Sequence, residues 1–117
     1  MENLDLQGTN KTPTLKFDAQ NGAFLIEGRS IPENSIGFYK PIFEWMDKYI
    51  KTPCQETSLD VKLEYFNTSS SKCLVEIFRK LERIHEEGHK VQINWFFEED
   101  DEDMEESGED LQEIIDV

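Results

Sequence analysis

Apolar and polar residues alternate with period two in several short stretches of the chain and recur at helical spacing in two longer ones. Leu15 and Phe17 alternate with Thr14 and Lys16, and Phe24 and Ile26 with Ala23 and Leu25. Between them lies Asp18-Ala19-Gln20-Asn21-Gly22, and Asn-Gly between two alternating runs marks a β-hairpin. Ser30-Ile31-Pro32-Glu33 then fits the S-x-x-E capping box, with Pro32 near the first turn, where a missing N–H costs nothing. Ile36, Tyr39, Phe43, Met46 and Ile50 follow at helical spacing, and Ile42 and Tyr49 widen the stripe. Pro41 falls inside this helix and is expected to kink it, with Gly37 four residues earlier easing the bend. Leu59, Val61, Leu63 and Tyr65 alternate strictly with Asp60, Lys62 and Glu64, which predicts a strand with one dry face. Leu74, Ile77, Phe78, Leu81 and Ile84 predict a second amphipathic helix ending near Gly88. Val91, Ile93, Trp95 and Phe97 predict the last strand.

The order is β-β-α-β-α-β. Helical crossovers between the later strands imply parallel neighbours. Polar residues at 60, 62, 64, 92 and 94 keep one sheet face wet, unlike a parallel sheet covered on both sides. The expected fold class is therefore α/β: a two-layer, four-stranded mixed sheet with the main helices on one face.

At 117 residues there is room for one domain. Its expected limits are 9–97, after a short N-terminal segment (1–8) and before an acidic C-terminal segment (98–117). Charge sharpens that division. Of the 26 acidic residues, twelve lie in 98–117, where there is no basic one; the rest of the chain sets 14 acidic against 12 basic residues. Met104, Leu111, Ile114 and Ile115 leave room for a short third helix in the tail. A net charge of −14 and the absence of a basic stripe exclude nucleic acid and anionic membrane surfaces as partners. No apolar run approaches a membrane span, and no basic-then-apolar leader opens the chain, so a cytoplasmic location is expected. Cys54 and Cys73 form no C-x-x-C pattern and read as reduced and structural. The sequons at Asn10 and Asn67 carry no meaning in an unexported chain.

In open α/β sheets the loops at the strands' carboxyl ends form the sites. Phe66–Lys72 is the most informative of these loops, with Asn67, Thr68, Ser69, Ser70 and Ser71 at the start of a helix. Each can accept a bond from an orphan N–H, so a redundant N-cap is one reading. The other is a modification site. Free N–H groups and the positive end of the helix dipole favour a phosphate there, and Lys72 stands nearby to pair with it.

TPTLKFD, IPENSIGFYKPIFEWMDKYI, YFNTSSSK and VQINWFFEEDDEDMEESGED together resemble the SiaC family of bacterial regulatory phosphoproteins, over Thr9 to Asp110. Pro32-Glu33-Asn34, Phe38-Tyr39 and Tyr65–Ser70 are the most specific pieces. The resemblance implies a STAS-like architecture and a partner switch in biofilm and cyclic-di-GMP signalling. It makes Thr68, the Thr of NTSS, the phosphoacceptor. It further implies a dedicated protein kinase, an opposing PP2C-type phosphatase, and a GGDEF diguanylate cyclase that the unphosphorylated form binds and activates. Edge geometry and the family motif together mark Glu33, Asn34, Phe38, Tyr65, Asn67, Ser69, Ser70 and Lys72 as the partner surface.

Other features point to no chemistry. His85 and His89 are spaced i,i+4, but Gly88 between them ends the helix, and no third ligand accompanies them. Glu98–Glu106 lacks the alternation and central Gly of an EF-hand and reads as solvated acid. No nucleophile–base–orienter set can be assembled, and Gly is too sparse for a phosphate-cradling loop. Neither an enzyme nor a cofactor is expected. Trp95 is read as either structural or partner-facing. The rival to a switch is a constitutive structural or oligomerisation domain in which residues 67–71 only cap a helix.

Overall fold

The turn between Asp18 and Gly22 sets the first half of the fold. Asp18 gathers it: its carboxylate accepts from the backbone N–H of Gln20 and from both the backbone and side chain of Asn21. Gly22 takes φ +69°, closing the chain back on itself with its N–H on the Asp18 carbonyl. Strands β2 (Thr14–Asp18) and β3 (Ala23–Ser30) thereby pair antiparallel, with Leu15 opposite Ile26 and Phe17 opposite Phe24. The structure is a computed structural model describing residues 2–114.

A further strand, β1 (Leu4–Leu6), pairs antiparallel with β2 and places Leu4 opposite Phe17 and Leu6 opposite Leu15. The sheet thus has five strands, not the four expected. Three residues alternating around Asp5 are too short to stand out as a strand without the partner they lie against. Next come α1 (Ser35–Lys51), β4 (Glu56–Phe66), α2 (Thr68–Glu86), β5 (Lys90–Trp95) and α3 (Glu102–Ile114). The sheet order is β1-β2-β3-β4-β5, with β3, β4 and β5 parallel.

Register explains why one face is dry. Phe24, Ile26, Leu59, Val61, Ile93 and Trp95 fall opposite one another across β3, β4 and β5. With Leu15 and Phe17 they form the floor of the core, onto which Tyr39, Ile42, Met46 and Tyr49 of α1 and Leu74, Ile77, Phe78, Leu81 and Ile84 of α2 pack. Each such fully buried side chain contributes roughly 1.5–3 kcal/mol. The opposite face carries Lys16, Leu25, Asp60 and Asn94 in one row and stays polar apart from Leu25. Lys80 of α2, almost wholly buried, ties the two helices through Asp47 of α1 at 2.6 Å and pairs within its own helix with Glu76 at 3.6 Å.

Several local expectations are corrected. Ser30 does not cap α1; it ends β3 with its hydroxyl buried, and Asn34 is the cap, accepting from Gly37 N–H at 3.1 Å. The buried stripe of α1 then runs through Ser35, Tyr39, Ile42, Met46 and Tyr49, leaving Ile36 78% exposed. Pro41 does not break the helix, in keeping with its expected place inside it, and lies on the exposed side. Tyr65 does not extend the dry face of β4. The register of β3 and β4 shifts between Gly28 and Arg29, where Gly28 takes φ +108°, so that Tyr65 pairs with Arg29 and Phe66 with Ser30. That bulge turns Phe66 inward and leaves Tyr65 56% exposed. Finally, β5 stops at Trp95, so Phe97 lies beyond the strand and is 43% exposed.

The tail folds as α3. Asp101 caps it by accepting from Met104 N–H, acidic residues fill its first turn, and Met104 and Leu111 seat in the core. Ile115 lies outside the described residues.

Candidate functional site

The parallel strands β3, β4 and β5 bring their carboxyl ends to one edge, where the N-termini of α1 and α2 also lie. At the start of α2 the five polar side chains of 67–71 divide by task. Asn67 is the N-cap: its side chain accepts from Ser70 N–H at 2.9 Å and its carbonyl from Ser71 N–H at 3.0 Å. Its own N–H donates to the Ser30 carbonyl at 3.1 Å, locking the cap to the end of β3. Ser71 turns back onto the Thr68 carbonyl at 2.8 Å.

Ser70 faces the core. The Ser30 hydroxyl donates to it at 2.8 Å and is itself 2.6 Å from the Tyr39 hydroxyl. This chain of buried hydroxyls joins β3, α1 and α2 directly beneath the helix start. Burial pushes the Tyr39 hydroxyl up to about 12, against a lowering by its bond to Ser30. Ser70 is therefore removed from the expected partner surface: fully buried, it offers a partner nothing.

That leaves Thr68 and Ser69 as the exposed hydroxyls of the segment. Thr68 is the first helical residue, where N–H groups have no intrahelical acceptor. No acidic residue occupies this first turn. Thr68 lines a cleft of about 430 Å³ between α2 and α3, with Phe66, Lys72 and Val75 on one side and Ser107, Asp110 and Leu111 on the other. Lys72, one helical turn beyond Thr68, is exposed and has no ion pair among the described residues.

The remaining predicted residues sit on the same edge with different availability. Glu33 is exposed and pairs with Lys11 at 3.6 Å. Asn34 is occupied as the α1 cap, and Phe38 is half-buried, edge-on to Tyr39 at 5.0 Å. Tyr65 is the most exposed aromatic ring at this end. Sequence reasoning missed Ile36, Phe96 and Phe97, three large apolar side chains also exposed here. The spacing Tyr39-Ile42-Met46-Tyr49, extended backwards, reaches Ser35 and so could have placed Ile36 outside the core. Trp95 proves structural: its ring meets Phe66 and Phe78 edge-on and its indole N–H donates to the Met104 carbonyl at 2.9 Å. His85 ends α2 and His89 follows Gly88, so Gly88 separates them as the sequence implied. Cys54 and Cys73 are free thiols; Cys54 donates to the Ala19 carbonyl at 3.2 Å, and burial raises the Cys73 thiol.

An exposed hydroxyl at a capped helix start, ringed by apolar and polar side chains at the sheet edge, forms a surface for recognition with no catalytic set among the described residues. The chain belongs to the SiaC family of regulatory phosphoproteins, whose family model matches residues 6–117. An uncharacterized protein of Pseudomonas aeruginosa (strain UCBPP-PA14) is 32% identical over 113 residues, spanning 97% of this chain and 90% of the relative. The crystal structure of apo-SiaC from Pseudomonas aeruginosa superimposes with a TM-score of 0.90 at 30% identity, covering 100% of this chain and 95% of that one. SiaC in the crystal structure of the diguanylate cyclase SiaD with its activator SiaC, from the same organism, gives a TM-score of 0.89 at 31% identity, covering 97% and 93%.

Proposed function

We propose that this chain is a non-catalytic partner-switch protein in which phosphorylation of Thr68 controls binding to a GGDEF diguanylate cyclase. The unphosphorylated form binds and activates the cyclase, which places the chain in cyclic-di-GMP and biofilm signalling in the cytoplasm. A protein kinase and a PP2C-type phosphatase set the state of Thr68, in the manner of STAS-type switches. The observation that carries the reading is the position of Thr68. It is exposed at the first position of α2, with no acid in that turn and with Lys72 one turn on, without an ion pair among the described residues. Asn67 already supplies the cap, so the threonine hydroxyl is not needed to hold the helix. The solved complex of a family relative with a diguanylate cyclase supports the choice of partner.

Phosphate at Thr68 adds about −1.5 to −2 charges. The helix dipole and Lys72 accommodate that charge within the chain. A partner surface selected for the neutral hydroxyl has to repel or desolvate it. Among Glu33, Asn34, Phe38, Tyr65, Asn67, Ser69 and Lys72, exposure favours Glu33, Tyr65, Ser69 and Lys72 for direct contact, since Asn34, though exposed, has its side chain engaged as the α1 cap. Intact-mass analysis of the protein from its native host tests the modification. A species heavier by one phosphate, mapped to Thr68 and lost in Thr68→Ala, is the expected result. Its absence across growth states, or its location on another residue, contradicts the reading.

A further inference from the structure

Phe96 and Phe97 are 45% and 43% exposed where β5 ends, an unusual place for two adjacent large apolar rings to meet water. Trp95 faces the core, so Phe96 falls on the sheet's opposite face, where Lys62 stands 4.9 Å from its ring centre. The two rings and Leu63 line a cleft of about 370 Å³ whose remaining walls are Lys62, Glu64, Glu98 and Asp101. Its charged walls carry more acid than base: against Lys62 stand Glu64, answered by Arg29 at 3.4 Å, and Glu98 and Asp101, which have no ion pair among the described residues. The lining therefore joins an apolar floor to a surplus of negative charge.

We infer that this cleft docks a cationic segment of a partner protein, one carrying an apolar side chain between Arg or Lys residues. The apolar side chain covers the exposed rings, and the flanking cations meet the carboxylates of Glu98 and Asp101. Charge excludes other occupants. Nucleic acid and anionic lipid are repelled by a chain of net charge −14, and a second copy would bring the same surplus of acid against acid. This cleft is separate from the one that Thr68 lines, and its occupation does not require Thr68 to be modified.

An NMR titration of the full chain with three short synthetic peptides tests the assignment: one with Leu flanked by Arg, one with Leu flanked by Glu, and one with Ala flanked by Arg. The Arg-Leu peptide should shift the amides of 62–64 and 96–101 and bind at least about tenfold more tightly than either control. Phe97→Ala and, separately, Glu98→Lys should each weaken it about fivefold or more while leaving the remaining amide spectrum unchanged. No shifts in this region, equal affinity for the three peptides, or an Arg-Leu affinity untouched by Phe97→Ala would overturn the assignment. Self-association that shifts the same amides and is lost in Phe97→Ala would overturn it too, by giving the cleft to a second copy.

Discussion

Ser30, Tyr39 and Ser70 occupy one buried hydroxyl chain, of which only Tyr39 was read from sequence as core. Ser30 looked like a helix cap because Glu33 follows at the right interval, yet its hydroxyl is bound to Tyr39 and Ser70, residues 9 and 40 positions away. Pairing across such distances leaves no local trace, so the capping pattern was misleading there and Asn34 took its place. Tyr39 makes the chain testable by pH. Its ordinary value is 10.0 and burial raises it to about 12 in the folded protein. The unfolded chain ionises first, so stability is complete below pH 10 and falls by about 2–3 kcal/mol as pH rises to 12. In urea titrations across that window, Tyr39→Phe should lose markedly less stability than the wild type. Tyr49, whose hydroxyl burial also raises, is present in both proteins and so does not account for a difference between them. An identical alkaline decline in both proteins contradicts the role given to Tyr39. At Asn67, the cap is predicted to be worth about 1 kcal/mol. Asn67→Ala should lower the urea midpoint accordingly, and an unchanged midpoint would show that its bonds to Ser70 and Ser71 are replaceable.

Among the elements, those with strong periodicity were legible. The hairpin, both main helices, β4 and most of β5 follow from the alternation or helical spacing of apolar and aromatic residues, helped at the hairpin by Asn21-Gly22. What was not legible depends on a second element. The Gly28 bulge is a property of two paired strands, so Tyr65 read as core until its partner Arg29 was known. Strand β1 exists because Leu4 and Leu6 lie against Phe17 and Leu15. The short third helix that Met104 and Leu111 left room for in the acidic tail does form, but its docking through the Trp95 indole depends on β5 and was not legible. Gly108 permits that docking: a Cβ there would lie 2.5 Å from Trp95 Cδ1. Ala is the better helix former by about 1 kcal/mol, so a surface glycine should be improved by the change. Gly108→Ala should instead loosen α3, with faster amide exchange over 104–111 and a red-shifted Trp95 emission, since overpacking costs about 1–3 kcal/mol. Unchanged or slower exchange would show that helix propensity wins and that the close approach is not binding.

For the molecule as a whole, charge and apolar exposure are segregated. The acid is concentrated in and before α3, while the large exposed apolar residues Ile36, Tyr65, Phe96 and Phe97 collect towards the carboxyl end of the sheet. The candidate edge was legible from topology, because parallel strands must deliver their following loops to one side. Which side chains on it are free was not, since Ser70 and Asn67 are committed by packing and capping that the segment's composition conceals. Thr68 remains as an exposed hydroxyl that the helix cap does not use, and the proposed switch depends on it most. The direct test is a calorimetric titration of the purified chain, unphosphorylated and stoichiometrically phosphorylated at Thr68, into the GGDEF diguanylate cyclase of the same organism. The account predicts measurable binding by the unphosphorylated chain and by Thr68→Ala, and a loss of about a hundredfold or more, near 3 kcal/mol, on phosphorylation. Equal affinities for the two forms would contradict it.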